Sequence, residues 1–297
     1  MVISLGNVKV GEGLPPVFVA EIGVNHDGQV DTAMRLVKDA WLAGAHMVKF
    51  QKRTPRLCVP KNYWNTPRES RWGTIPYIEF RERMEFGRAE FERLDALCKG
   101  KNIPWFASCW DVEALEFIEE FDPPCHKVAS PCLTDKGLLE AMVDTGRPLI
   151  VSTGMSSPSE IAEAVSILQG AWERVIICHT TSVYPTPKEM MNLRYIRTLK
   201  EKFLDVVVGY SGHERGIIAT FGAIALGASY IERHITYDRM KPGDHSASIE
   251  PWQFYQMGTD GTALWASLGD GVKRVYDGEK ANARKLRKYI TEDVHAS

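Results

Sequence analysis

Two histidines each close an apolar run of this chain. Val-Val-Val-Gly-Tyr-Ser-Gly-His ends at His213, and Tyr-Ile-Glu-Arg-His ends at His234. Read as strands, both runs bring an imidazole to the same end of a sheet. Neutral imidazoles bind divalent metals, and two of them leave coordination positions open for water and substrate. A single histidine at a strand end is more often a hydrogen-bonded core residue. Two on consecutive strands favour a metal pair, with His213 and His234 as its ligands.

The other run ends are polar too. They present Glu21, Asn25 and His26; Lys49, Gln51 and Lys52; Ser108 and Cys109; Lys127 and Ser130; Ser152 to Gly154; His179, Ser182 and Tyr184; Ser211; and Glu232. Buried polar groups cost free energy unless paired, so this concentration implies a ligand. Lys49 and Lys127, with Ser130, Ser152, Ser211 and the Ser-Thr-Gly turn, make a cradle for phosphate or carboxylate. The alternative is that each lysine pairs with a structural carboxylate such as Glu21 or Glu232. A third use of Lys127 is as a Schiff-base amine. Asn25, Gln51, Ser108 and Ser182 are further candidate substrate contacts, and His26, in a turn, is placed to meet a hydroxylated substrate. Asp244 lies in the turn-rich Lys-Pro-Gly-Asp-His; it orients a sugar hydroxyl or stabilises that turn.

The elements that must carry these residues alternate regularly. Apolar runs fall at Val17–Ile22, His46–Phe50, Pro104–Ser108, His126–Ala129, Leu149–Ser152, Val175–His179, Val206–Tyr210 and Ser229–His234. Segments of helical periodicity lie between them, among them Val30–Ala43, Val112–Phe121, Leu138–Thr145, Ser159–Gln169 and Ile217–Leu226. Gly44, Asn102, Gly146 and Gly227 stand where helix C-caps are needed. Eight β-α units predict a single-domain (β/α)8 barrel over 1–276, with its chemistry at the C-terminal strand ends. The rival is an open doubly wound sheet, but no dinucleotide glycine fingerprint follows the first run. Arg53–Arg88 is a long connection expected to serve as a lid or partner surface. Residues 277–297 read as a polar tail or linker.

The 297 residues are 44% hydrophobic and 25% charged, enough for a sizeable core, with a formal net charge of −2. No overall basic field points to nucleic acid or an acidic membrane. The six cysteines form no CxxC pair and read as reduced thiols. No signal peptide or membrane span is apparent, so a cytoplasmic protein is expected.

Several motifs in order resemble the sialic acid synthase family. They are Ala-Glu-Ile-Gly-Val-Asn-His-Asp-Gly at 20–28, Val-Lys-Phe-Gln-Lys at 48–52, Ser-Thr-Gly-Met at 152–155, Thr-Ser-Val-Tyr-Pro-Thr-Pro at 181–187, Gly-Tyr-Ser-Gly-His-Glu at 209–214, Glu-Arg-His-Ile-Thr at 232–236 and Asp-His-Ser-Ala-Ser-Ile-Glu-Pro at 244–251. The resemblance implies metal-dependent condensation of phosphoenolpyruvate with a sugar aldehyde, releasing phosphate. It implies Mn2+ or Mg2+ on His213 and His234. Lys49, Lys127, Ser130, Ser152, Tyr184 and Ser211 would surround phosphoenolpyruvate, with Ser182 where members carry Asn or Ser. Glu21 and Asp244 would face the sugar and the reacting carbons. The family's antifreeze-like C-terminal domain is not expected here. Cys132 stands where many members are acidic, and Cys109 where Thr is common; both leave the acceptor sugar open. A homodimer and a separate polypeptide carrying the antifreeze-like domain are the partner readings. The competing functions are a Schiff-base keto-deoxy sugar acid aldolase using Lys127, and a non-catalytic sugar-binding barrel.

Overall fold

The computed structural model describes residues 1–289. Twelve strands run in chain order among them: β1 Val2–Leu5, β2 Val8–Gly11, β3 Val17–Gly23, β4 Met47–Lys52, β5 Pro67–Ser70, β6 Gly73–Pro76, β7 Trp105–Cys109, β8 His126–Val128, β9 Leu149–Ser152, β10 Val175–Thr180, β11 Val207–Gly212 and β12 Tyr230–His234. The helices are α1 Val30–Leu42, α2 Pro55–Cys58, α3 Tyr77–Met84, α4 Arg88–Lys101, α5 Val112–Glu119, α6 Lys136–Asp144, α7 Pro158–Leu168, α8 Tyr195–Lys202, α9 Ile218–Ala225, α10 Pro251–Leu268 and α11 Asp277–Leu286. The eight strands β3, β4 and β7 to β12 pair in parallel and close into a barrel, β12 joining β3. The expected (β/α)8 barrel is the observed fold, and the open sheet is excluded. Gly44, Asn102, Gly146 and Gly227 all take positive φ after their helices, which ends each helix and turns the chain into the next strand.

Side chains alternate across each strand. Outward residues such as Phe18, Val48, Ala107 and Ile231 pack under the helices. Inward ones begin apolar: Val17 and Val19, Met47, Phe106, Ile150, Ile176, Val207 and Tyr230 fill the lower barrel. Two or four residues further along, the same inward faces bring up Glu21, Lys49, Ser108, Ser152, Ser211, Glu232 and His234. Gly209 makes room in this layer, because a Cβ there would lie 2.7 Å from Cys178 Sγ and 3.0 Å from the Tyr230 ring. The barrel is thus a packed apolar stem carrying one polar rim.

The stem is closed from below by an N-terminal antiparallel hairpin, β1–β2, that the apolar pattern does not foretell. Ile3, Leu5 and Val10 are buried against Val17, Met47, Phe106 and Ile150. The Arg53–Arg88 connection is structured: α2, the β5–β6 hairpin and α3 form a lid on the opposite side. The segment expected as a tail starts with α11, which buries Lys280 and Ala283; residues 290–297 lie outside the described residues. The cysteines are free thiols, and all but Cys58 are buried. No helix among the described residues is long and apolar enough to cross a membrane.

Candidate active site

The polar rim encloses a cavity of about 70 Å³ lined by Lys49, Gln51, Ser108, Lys127, Ser130, Ser152, Tyr184, Ser211, His213, Glu232 and His234, with Trp110 and Thr180. Four buried charges organise it. Lys49 Nζ lies 2.5 Å from Glu21 Oε2 and 3.3 Å from Glu232 Oε1, and donates to Ser108 Oγ at 2.8 Å. Lys127 Nζ donates to Glu232 Oε2 at 3.1 Å. Glu232 also accepts from Ser211 Oγ at 3.1 Å and from Tyr230 OH at 2.7 Å. Both lysines line the cavity, and each is paired with a buried carboxylate, as the structural alternative expects.

The two carboxyls are driven apart. Burial raises the Glu21 acid well above the usual carboxylate range; the neighbouring Glu232 charge adds to this and Lys49 opposes it. Burial pushes Glu232 up as well, but Lys127 and Lys49 outweigh it and hold Glu232 far below that range. Lys49 is buried, which alone would lower its pKa, yet Glu21 and Glu232 raise it and keep the ammonium charged. One carboxyl therefore stays ionised while the other is set up to exchange a proton.

His213 and His234 stand side by side, ring centroids 5.5 Å apart. Burial pushes both imidazoles down to about 3; the neighbouring His234 reinforces this at His213, and Lys49 does so at His234. Both are neutral at pH 7. His213 Nδ1 bonds the Thr181 carbonyl at 2.9 Å, which fixes the tautomer and leaves Nε2 with its lone pair. His234 Nδ1 is buried with no hydrogen-bond partner. An orphaned ring nitrogen beside a second neutral imidazole fits a metal site. No cluster of three or more His, Cys, Asp or Glu donors converges among the described residues; an ion here would be held by these two imidazoles alone. The Tyr184 ring lies 4.1 Å from the His213 ring.

Ser182 and Ser130 meet across Gly154, where a Cβ would fall 2.3 Å and 2.6 Å from their hydroxyls. Ser182 Oγ is buried without a partner, and Ser182 lines a neighbouring cavity rather than the first. Asp244 lines a third cavity, under the lid. Two of the expected substrate contacts are placed elsewhere. Asn25 Nδ2 donates to Ile235 O at 2.9 Å and to Ser248 Oγ at 2.8 Å, and Ser248 Oγ donates to Asp244 O at 2.6 Å; Asn25 therefore fixes the loop that carries Asp244. His26 stacks on Phe86 with centroids 4.1 Å apart and accepts from Gly28 N at 3.0 Å, away from these cavities. Glu232 is the central residue that the sequence offers only as a counter-charge. Its signal was spacing: it lies two residues before His234, on the same strand face.

Fold and rim together define a (β/α)8 barrel of the enzymatic kind, with buried lysines and carboxylates beside two neutral imidazoles at its C-terminal strand ends. The chain belongs to the NeuB family, whose match spans residues 36–273. It is 34% identical to the N-acetylneuraminate-9-phosphate synthase of Mus musculus over 288 residues, 96% of this chain and 80% of that one. It is 32% identical to the N,N'-diacetyllegionaminic acid synthase of Campylobacter jejuni, covering 92% of this chain and 83% of that one. The structure of an N-acetylneuraminic acid (sialic acid) synthetase from Leptospira borgpetersenii superposes with a TM-score of 0.86 at 33% identity, over 97% of this chain and 98% of that one.

Proposed function

We propose that this protein condenses phosphoenolpyruvate with the open-chain aldehyde of an N-acylhexosamine or related sugar, giving a sialic-acid-like nonulosonic acid and inorganic phosphate. The names of its relatives support the reaction class. The observation that carries the reading for this chain is the meeting of Lys49, Lys127 and Glu232 with the neutral His213–His234 pair in one cavity, with Glu21 paired to Lys49 behind it.

Lys49 and Lys127, with the hydroxyls of Ser130, Ser152 and Ser211, bind the phosphate and carboxylate of phosphoenolpyruvate and fix its methylene toward the aldehyde. His213 and His234 would hold Mn2+ or Mg2+, which when bound polarises the aldehyde carbonyl. The methylene carbon bonds to the aldehyde carbon, and the aldehyde oxygen ends as a hydroxyl. Cationic charge develops at the former enol carbon, where ionised Glu232 and its neighbours steady it. Water adds there, and Glu21 takes one of its protons, which passes to the former aldehyde oxygen. As the C–O bond to phosphate breaks with its electron pair leaving on phosphate, the added hydroxyl loses its proton and becomes the keto oxygen. Asp244 orients a sugar hydroxyl.

The test is phosphate release from phosphoenolpyruvate, with and without Mn2+, across hexoses, N-acylhexosamines and their phosphates. Release requiring both the metal and one acceptor is expected. Since such an ion contributes several kcal/mol, His234→Ala should lower turnover by about 10³-fold while the fold persists. Metal-free turnover in that variant, or a borohydride-trapped imine on Lys127, would overturn the assignment in favour of a Schiff-base aldolase.

A further inference from the structure

The outward faces of the barrel strands are apolar elsewhere, as at Phe18, Val48, Ala107 and Ile231. Beside the histidine pair they carry charge. Arg233 stands between Glu232 and His234 on β12, on the opposite strand face to both, and Glu214 follows His213. Both are buried, Arg233 completely. Arg233 Nη1 lies 2.8 Å from Glu214 Oε1. Glu214 also accepts from Tyr210 OH at 2.8 Å and from Thr220 Oγ1 at 3.2 Å. Gly212 packs against this group: a Cβ there would run into Glu214 Oε2 and the Tyr210 ring.

A buried ion pair is weak support for stability, since apolar residues of like volume commonly serve as well. The use of this one lies in what it joins. The β11–β12 ladder ends where Gly212 pairs with Arg233. His213 and His234 each stand one residue past that last pair. The Arg233 guanidinium takes over there. Its Nη2 donates to Glu214 O at 2.6 Å, and its Nη1 donates to Gly216 O at 2.8 Å and to Thr220 Oγ1 at 3.0 Å. One side chain of β12 thus grips the whole turn that follows His213. A rigid, planar fork of donors suits this task, and a flexible ammonium does not.

The two imidazoles are not held alike. His213 Nδ1 bonds the Thr181 carbonyl, whereas His234 Nδ1 has no partner. Metal-binding histidines are ordinarily fixed through their second ring nitrogen. Where that bond is missing, the place of the ring follows from the strand that carries it. Arg233 is the residue before His234, so the group that grips the turn after His213 also fixes the strand end that presents His234. Neither Arg233 nor Glu214 lines the cavity. We infer that Arg233 and Glu214 are positioning residues, whose ion pair sets the separation of the His213 and His234 rings and thereby the affinity for a divalent cation. This rests on the metal role proposed above for the histidine pair.

Mn2+ binding to the intact protein is measured without substrates, by paramagnetic resonance of the free ion and by calorimetry. The visible spectrum of Co2+ bound in its place reports the coordination geometry. Arg233→Met and Glu214→Gln should each weaken Mn2+ binding by about 10–100-fold, the usual effect of losing a group that orients metal ligands. Arg233→Lys should recover only part of the loss, because an ammonium lacks the fork. The Co2+ bands should shift in every variant. Where a lone buried charge prevents folding, Arg233→Met combined with Glu214→Leu removes the pair and leaves no charge behind, and should show the same loss. Urea unfolding is followed in parallel, and phosphoenolpyruvate binding without metal is the control for the rest of the rim. An unchanged Mn2+ affinity and Co2+ spectrum in a folded variant would overturn the inference and leave the pair a purely structural one. Weakened Mn2+ binding with no phosphate release from any acceptor keeps the positioning role and removes the condensation. Metal-dependent release with Mn2+ affinity indifferent to these substitutions keeps the condensation and removes the positioning role. If the unaltered protein binds no Mn2+, the metal role and the inference fall together.

Discussion

Glu232 is the residue on which the rim depends, since it alone touches both lysines. Neither lysine is left as an uncompensated buried charge, a state that costs several kcal/mol. His26 is the contrasting buried titratable group. Burial drives its pKa from the ordinary 6.5 down to about 3. The folded chain thus refuses a proton that the unfolded chain accepts below about pH 6.5. Stability is complete above that pH and is lost as the pH falls toward 3, by about 2 kcal/mol at pH 5 for this one group. His26→Gln, which keeps an acceptor for Gly28 N, should flatten that slope in urea unfolding at pH 7 and pH 5. An unchanged slope would place the acid sensitivity elsewhere. The rim residues were legible in the sequence because polar side chains interrupt apolar runs at matching positions. Which carboxylate faces which lysine was not, because a linear sequence does not state the neighbours across a closed barrel. Asn25 and His26 share a motif with Glu21 but sit past the bend at Gly23, where φ turns positive and the chain leaves the inward face.

Among the elements, the barrel strands were readable and the two hairpins were not. Strands buried on both sides give continuous apolar runs, whereas β1 and β2 are four residues each and half exposed. A signal was present: Gly6-Asn7 is a two-residue hairpin turn between them, with Gly6 at φ 62°. The β5–β6 hairpin turns through Arg71 and Trp72, which carry no such signature. The plug makes an element-level prediction. Leu5 is fully buried, so Leu5→Ala should lower unfolding free energy by about 2–5 kcal/mol. Turnover per folded molecule should hold, because the hairpin lies at the end of the barrel opposite the rim. A selective loss of turnover without loss of stability would contradict that separation.

At the scale of the whole molecule, the eight-unit rhythm and its polar ends led from sequence to architecture, while the lid's fold awaited coordinates, since its residues follow no period. The hairpin beneath the stem has one more consequence. With Ile3, Leu5 and Val10 sealing the base, reactants and products are confined to the opposite, C-terminal end of the barrel strands. The lysines and serines that would cradle phosphoenolpyruvate line the small cavity at the strand ends, whereas Asp244, which would meet the acceptor, lies on the loop after β12. An acceptor seated first would stand over that cradle. Phosphoenolpyruvate should therefore bind first and the acceptor second, and excess acceptor should inhibit by competing with phosphoenolpyruvate. Initial rates across a grid of both concentrations test this, with random addition as the contrary result. Closed at one end by two short strands, the barrel leaves both substrates the same approach.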